Sequence, residues 1–254
     1  QDFCLAQVRA CVYIDRSKLV TSNMVDQVTD PAARWGASWA DILEGGQQKW
    51  KDGEQLNNFA TVYELLSSEG CFTSVSNVLV PLCGDCPFSK YAYEKGHSVC
   101  CVDAVEAALD KLKKDFNGVV FNERTSDGTR ISTSDDSRVQ IYCGDFFACA
   151  ALQPHKGSIN VVYDKDAFGA IDPSQREAYA RVIGELAAPQ SYVFVEGKSR
   201  SGIEGPPFNL DEMAIREIWG KEGFHLVKHF PELYPLSHPS WKQQGFLLQR
   251  KSSL

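Results

Sequence analysis

The chain has 254 residues, 43% hydrophobic and 23% charged, with a formal net charge of −7. That suits a globular protein with a substantial core, better read as one large α/β domain than as two small ones. No apolar run approaches the roughly 18–20 residues of a membrane-spanning helix. The acidic balance argues against a nucleic-acid binder, which concentrates Lys and Arg on one face, whereas Lys111–Lys114 here reads as the wet side of one helix.

Nine cysteines are scattered along the chain, including the neighbours Cys100 and Cys101. No signal-peptide pattern or Asn-x-Ser/Thr sequon suggests secretion, so reduced thiols in a cytoplasmic protein are expected. The chain opens at Gln1 rather than Met, which leaves its native start and any removed targeting segment open.

Residues 1 to about 35 have no sustained period and contain the turn-like TDPAARWG, which reads as an N-terminal arm or peripheral helix. From Trp39, WADILEGGQQKWKDGEQ leads into FATVYELLSSEG, whose apolar residues recur at helical spacing and stop at Gly70. NVLVPL then suits a buried parallel strand. PFSKYAYEKG opens with Pro87 and closes with Gly96, the usual helix asymmetry, and SVCCVD is a second buried strand.

AVEAALDKLKKDF is a strong helix, followed by a polar excursion from Asn117 to Ser137 that reads as a hairpin or loop insertion. VQIYCGDFF is the third strand and SINVVYDKDAF the fourth. PSQREAYARVIGELAAP is a helix, SYVFVEG the fifth strand and LDEMAIREIWGKEG another helix. FHLVKHF and GFLLQRK close the chain as strands. The alternation predicts a doubly wound α/β sheet with helices on both faces, the last pair of strands forming an antiparallel edge.

In such sheets ligands bind beyond the carboxyl ends of the strands. Gly84 lies in the first strand-to-helix turn, and Asp103 ends the second strand about twenty residues on, as expected of an acid that binds ribose hydroxyls. LCGDCPF has one glycine rather than GxGxxG, which favours a nucleoside without phosphates over a dinucleotide. S-adenosylmethionine is such a cofactor. Asp145 would accept the adenine amino group, with Phe146 on the ring. Cys83-Gly84-Asp85-Cys86 has two competing readings, a redox pair and half of a zinc site; no second CxxC or paired histidine spacing supports the zinc reading.

WADILEGGQQKW, VLVPLCGDCPFSKYAYEKGHSVCCVD, IYCGDFF, VVYDKDAFGAIDPSQREAYARVIGEL and GPPFNLDEM resemble, in order, the thiopurine S-methyltransferase family, which is close to the halide/thiol methyltransferases. The resemblance implies a class I, Rossmann-like methyltransferase domain over 36–254 with a seven-stranded, mostly parallel sheet, following an arm at 1–35. The implied activity is methyl transfer from S-adenosylmethionine to a small soft nucleophile, foremost a thiol. The alternatives are halide or thiocyanate, a protein or other acceptor, and binding without catalysis.

By the same resemblance, the methionine portion of the cofactor would lie along Leu82, Cys83 and Gly84, the ribose against Asp103 and Ala104, and the adenine at Asp145 and Phe146. Trp39, Leu43 and Trp50 would cover cofactor and acceptor. Asp164 and Lys165 would face the transferred methyl, Lys165 favouring an anionic nucleophile, with Pro206, Pro207 and Phe208 on the acceptor rim. Lys165 departs from the family, where Arg or Tyr follows this Asp; the competing reading is a solvated strand end. No metal is expected, the partner is a small-molecule acceptor, and the protein is expected to be a monomer or weak oligomer.

Overall fold

The computed structural model describes residues 31–46, 56–72, 75–148, 150–200 and 205–252. The chain divides into two compact units, 1–46 and 47–254. The described part of the first contains helix α1, Pro31–Leu43. The turn-like composition of Pro31–Gly36 thus gives way to helix. A proline that opens a helix forfeits only an N–H with no intrahelical partner.

The second unit runs α2 (Leu56–Ser68), β1 (Asn77–Pro81), α3 (Phe88–Glu94), β2 (Ser98–Asp103), α4 (Glu106–Asp115), β3 (Phe121–Ser126), β4 (Thr129–Ser134), β5 (Val139–Cys143), β6 (Ile159–Lys165), α5 (Ala167–Ala170), α6 (Arg176–Leu186), β7 (Ala187–Arg200), α7 (Glu212–Lys221), β8 (Phe224–Phe230) and β9 (Trp241–Arg250). One nine-stranded sheet results, in the order β3-β4-β5-β2-β1-β6-β7-β9-β8. The expected seven strands are β5-β2-β1-β6-β7-β9-β8, and the polar excursion adds the hairpin β3–β4 beyond β5. The two-residue turn of that hairpin, Asp127-Gly128, has positive φ at both positions, 49° and 77°, the conformation that matches the twist of paired strands.

The five central strands are parallel and both flanks antiparallel. Parallel strands covered on both faces need apolar side chains on both. Val78 and Val80 accordingly pack with Phe59, Leu66, Phe88 and Leu112 on the side of α2, α3 and α4. Leu79 packs with Phe168, Tyr179, Ile183 and Trp219 on the side of α5, α6 and α7.

The boundaries of one helix and one strand differ from expectation in ways that bear on the site. The helical reading of residues 173–189 contracts to a short 3-10 turn, Pro173–Gln175, capped by the Asp172 carboxylate, and then α6. The fifth strand, read as 191–197, extends to Arg200 because β9 pairs with it from Tyr192 to Arg200. Strand order reverses between β1 and β6, which opens a crevice at their carboxyl ends where α/β sheets bind ligands.

Candidate functional site

The turn leaving β1 carries Leu82 at φ 45° and Gly84 at φ 52°. This left-handed backbone is natural for glycine and strained for leucine. The Cys83 N–H donates to the Val102 carbonyl at 3.0 Å, which fastens the turn to β2. The Gly84 N–H donates to Asp103 Oδ2 and the Val105 N–H to Asp103 Oδ1, each at 2.8 Å.

Gly84, Asp103 and Ala104 are therefore brought together as expected. Burial raises the Asp103 carboxyl pKa, against the backbone N–H groups of Val105, Gly84 and Ala104, which favour the ionised form. Each carboxylate oxygen keeps acceptor capacity beyond the backbone bond it already accepts. A vicinal ribose diol, which brings donors, fits that set.

The third strand end joins the same edge: Gly144 N–H donates to the Asp103 carbonyl at 3.0 Å, and Asp145 is exposed, its Oδ1 accepting the Phe147 N–H at 3.0 Å. Phe146 differs from its expected role. Its ring is 1% exposed, 5.3 Å from the ring of Tyr179, so it belongs to the core and presents no face to an adenine. Cys83 and Cys86 are buried thiols. Burial, reinforced by Cys101, Asp103 and Cys86, pushes the Cys83 thiol well above its ordinary pKa. A redox pair needs the opposite, an exposed low-pKa thiolate.

At the end of β6 the side chains divide between the two faces of the sheet. Asp164 is buried, its Oδ1 accepting the Phe168 N–H at 3.0 Å and its Oδ2 the Tyr179 hydroxyl at 2.6 Å. Burial pushes its carboxyl up to about 7 from an ordinary 3.8. Between those values the folded protein holds a proton that the unfolded chain has released, so this contribution to stability is present at low pH and drains as pH rises through about 7. Asp164→Asn should remove that dependence. The stability of the parent relative to the variant, measured in urea, should decline from pH 4 to 7, and parallel curves would contradict the assignment.

Lys165 is neither solvated nor open to an anion. Its ammonium is bonded to Asp166 and lies 3.5 Å from Glu196 Oε1, with its side chain 3% exposed. Lys198 Nζ is 3.2 Å from Asp166 Oδ2, and Gln243 Nε2 donates to Asp166 Oδ1 at 3.2 Å. The Tyr163 hydroxyl donates to Glu196 Oε2 at 2.6 Å, and the Tyr234 hydroxyl donates to Glu196 Oε1. Two lysines and two carboxylates thus form a formally neutral buried quartet.

Glu196, Lys198, Gln243 and Tyr234 escaped the sequence reading. The signal for Glu196 and Lys198 was present in FVEGKSR, where Phe194, Glu196, Lys198 and Arg200 alternate onto one face of a strand. Charges at every second position of an apolar strand mark a buried polar face.

The rim at 206–208 is braced to this region. Phe208 N–H donates to the Gly169 carbonyl at 2.6 Å, and a side chain at Gly169 would meet Phe208 O at 3.2 Å and Pro207 Cβ at 3.4 Å. Arg200 donates to the carbonyls of Gly205 and Pro207, with its guanidinium 5.6 Å over the Trp241 ring. Arg176 lies 5.0 Å over Phe168 and 5.8 Å over Phe208. Pro207 is buried, while Pro206 and Phe208 are half-buried. Trp39 and Leu43 belong to α1 in the first unit, Leu43 being 57% exposed. Trp50 lies outside the described residues.

Solved structures share this architecture. A Burkholderia thailandensis 1,6-didemethyltoxoflavin-N1-methyltransferase, with its substrate and S-adenosylhomocysteine bound, superposes with a TM-score of 0.61 at 14% identity, covering 89% of this chain and 92% of that one. A Synechocystis magnesium protoporphyrin IX methyltransferase with bound S-adenosylmethionine gives 0.60 at 15%, covering 88% and 99%. Among sequence relatives, the thiopurine S-methyltransferase of Lynx rufus is 23% identical over 230 residues, 87% of this chain and 93% of its own. That of Bordetella petrii is 29% identical over 183 residues, 68% and 78% respectively. The family profile described as thiopurine S-methyltransferase matches residues 34–243. The chain belongs to the thiopurine S-methyltransferase family, whose members are S-adenosylmethionine-dependent methyltransferases.

Proposed function

We propose that the protein methylates a small thiol. S-adenosylmethionine supplies a methyl group already activated on a sulfonium sulfur, so the chain's own tasks are to bind, align and exclude water. Asp103 accepts the ribose hydroxyls, the backbone at Leu82–Gly84 and Ala104 follows the methionine and ribose portions, and Asp145 accepts from the adenine. Pro206–Phe208 form the acceptor rim. The observation that carries this reading is the Gly84–Asp103 clamp, one strand away from a buried polar cluster at the ends of β6 and β7.

Thiols ionise near pH 8.5, so a soft sulfur nucleophile needs only modest help near neutrality. The net charge of −7 supports a small acceptor rather than nucleic acid. The scattered cysteines and the lack of a signal-peptide pattern support a reducing, cytoplasmic setting, and among the described residues no helix is long and apolar enough to cross a membrane.

The test is product formation from S-adenosylmethionine across aliphatic thiols, aromatic thiols, iodide and a peptide mixture. Thioether formation with at least one thiol class is expected. Tight S-adenosylhomocysteine binding with no thiol turned over would overturn the proposal.

A further inference from the structure

We propose that Glu196 is the proton acceptor of the reaction, reached through the hydroxyl of Tyr234, and that the acceptor therefore binds as a neutral thiol rather than as an anion. This rests on the thiol reading above. Methylating a thiol liberates one proton per turnover, whereas methylating a halide liberates none. The chain therefore needs a proton sink only if its acceptor arrives protonated.

The strand registers put such a sink at the ligand-binding edge. Glu196 of β7 pairs with Lys165, the last residue of β6, and β6 adjoins β1, from which the Gly84 turn emerges. Arg200 pairs with Trp241 and Phe230 with Gly245, so the loop 231–240 that joins β8 to β9 lies at this same end of the sheet. Leu233 N–H donates to the Gln243 carbonyl at 2.7 Å, which ties the loop to β9 beside Tyr234. Glu196 is fully buried, whereas Tyr234 keeps 7% of its surface open and donates to it. Two further buried polar atoms at this end, Gln243 Oε1 and Arg200 Nε, have no hydrogen-bond partner among the described residues. Buried polar atoms that the fold leaves unpaired are available to a polar ligand.

Within the quartet Lys165 and Lys198 are opposed by Asp166 and Glu196, and the Arg200 guanidinium acts on Asp166 from the end of β7. Tyr163 from β6, Tyr234 from the loop and Lys165 from β6 face Glu196 directly, with Asp166 and Lys198 next to them and Cys86 facing Tyr163. As the S–H bond breaks, its proton passes to Tyr234 Oη while Tyr234 passes its own to Glu196 Oε1. The S–H electron pair stays on sulfur and forms the new bond to the methyl carbon. The pair of the methyl group's former bond remains with the donor sulfur, which loses its positive charge as Glu196 loses its negative one.

Two measurements test this, with 2-mercaptoethanol as a thiol protonated at pH 7 and 4-nitrothiophenol as one already ionised. In the first, protein loaded with S-adenosylhomocysteine is titrated calorimetrically with 2-mercaptoethanol in two buffers of different ionisation enthalpy. Neutral capture releases no proton to the buffer, and release of about one proton per thiol overturns the proposal. In the second, Glu196→Gln removes the acceptor, and Tyr234→Phe removes only the relay oxygen, should Glu196→Gln fail to fold. The rate with 2-mercaptoethanol at pH 7 should fall by about a hundredfold and climb tenfold per pH unit toward the pKa of the thiol, while 4-nitrothiophenol loses less than tenfold. Equal losses for both thiols at every pH, or no loss, overturns the relay. If the loaded wild-type protein neither binds nor methylates any thiol, the thiol reading itself has failed, and this inference with it.

Discussion

Asp103→Ala should weaken S-adenosylhomocysteine binding by at least a hundredfold and destabilise the fold as well. The carboxylate accepts the Gly84 and Val105 N–H groups, both at 2.8 Å, and so holds together the two strand ends that form the crevice. Hydrogen bonds to a charged group contribute about 1.5–3 kcal/mol each, and their loss leaves two sheltered N–H donors without partners. Part of the loss should therefore appear as a lower urea midpoint and part as lost affinity. Asp103→Asn keeps one acceptor oxygen and should fall between the parent and the alanine variant. Because burial raises this carboxyl, cofactor affinity should start to fall, as pH is lowered, at a higher pH than an exposed aspartate would give. Isothermal titration from pH 4 to 8 reads both effects, and unchanged affinity in a folded Asp103→Ala protein would remove the residue from the site.

Lys165→Met should destabilise the protein by about 3–5 kcal/mol, the usual consequence of removing one partner of a buried ion pair. Lys165 serves both Asp166 and Glu196, so its loss leaves two carboxylates under-compensated in a place that water reaches poorly. Lys198→Met should cost less, because Asp166 keeps Lys165 and Gln243. Adding Asp166→Asn to Lys198→Met should recover part of that loss, with a coupling of about 1 kcal/mol or more in denaturant melts. Asparagine suits this position, since Asp166 has φ 59° and Asn tolerates left-handed backbone. Additive single-site effects would mean that the quartet does not act as a unit.

The element sequence was legible because each parallel strand is a continuous apolar run and each helix has its own stop signal, as in VLVPL and the helix that closes at Gly96. The Gly84–Asp103 relation was legible for the same reason: a turn glycine and a strand-end acid come from consecutive elements of one βαβ unit, so local order brings them together. Asp127-Gly128 would have turned the polar excursion into a definite hairpin, but β3 is mostly exposed, β4 buries mainly Thr and Ser, and neither has the apolar alternation that marks strands.

The sequence by itself determined the α/β alternation and the meeting of the Gly84 turn with Asp103, because those depend on periodicity and on neighbours along the chain. Only the tertiary structure decided that Phe146 belongs to the core and that the charge of Lys165 is already matched. A side chain's partners depend on which face of a strand it occupies and on what distant strands place opposite it. Lys165 meets Glu196 because β6 and β7 are in register, and Tyr234 reaches Glu196 because β9 runs antiparallel to β7 and carries its loop back to that end of the sheet. These pairings span tens of residues, and long-range pairing of that kind leaves no local periodicity to read.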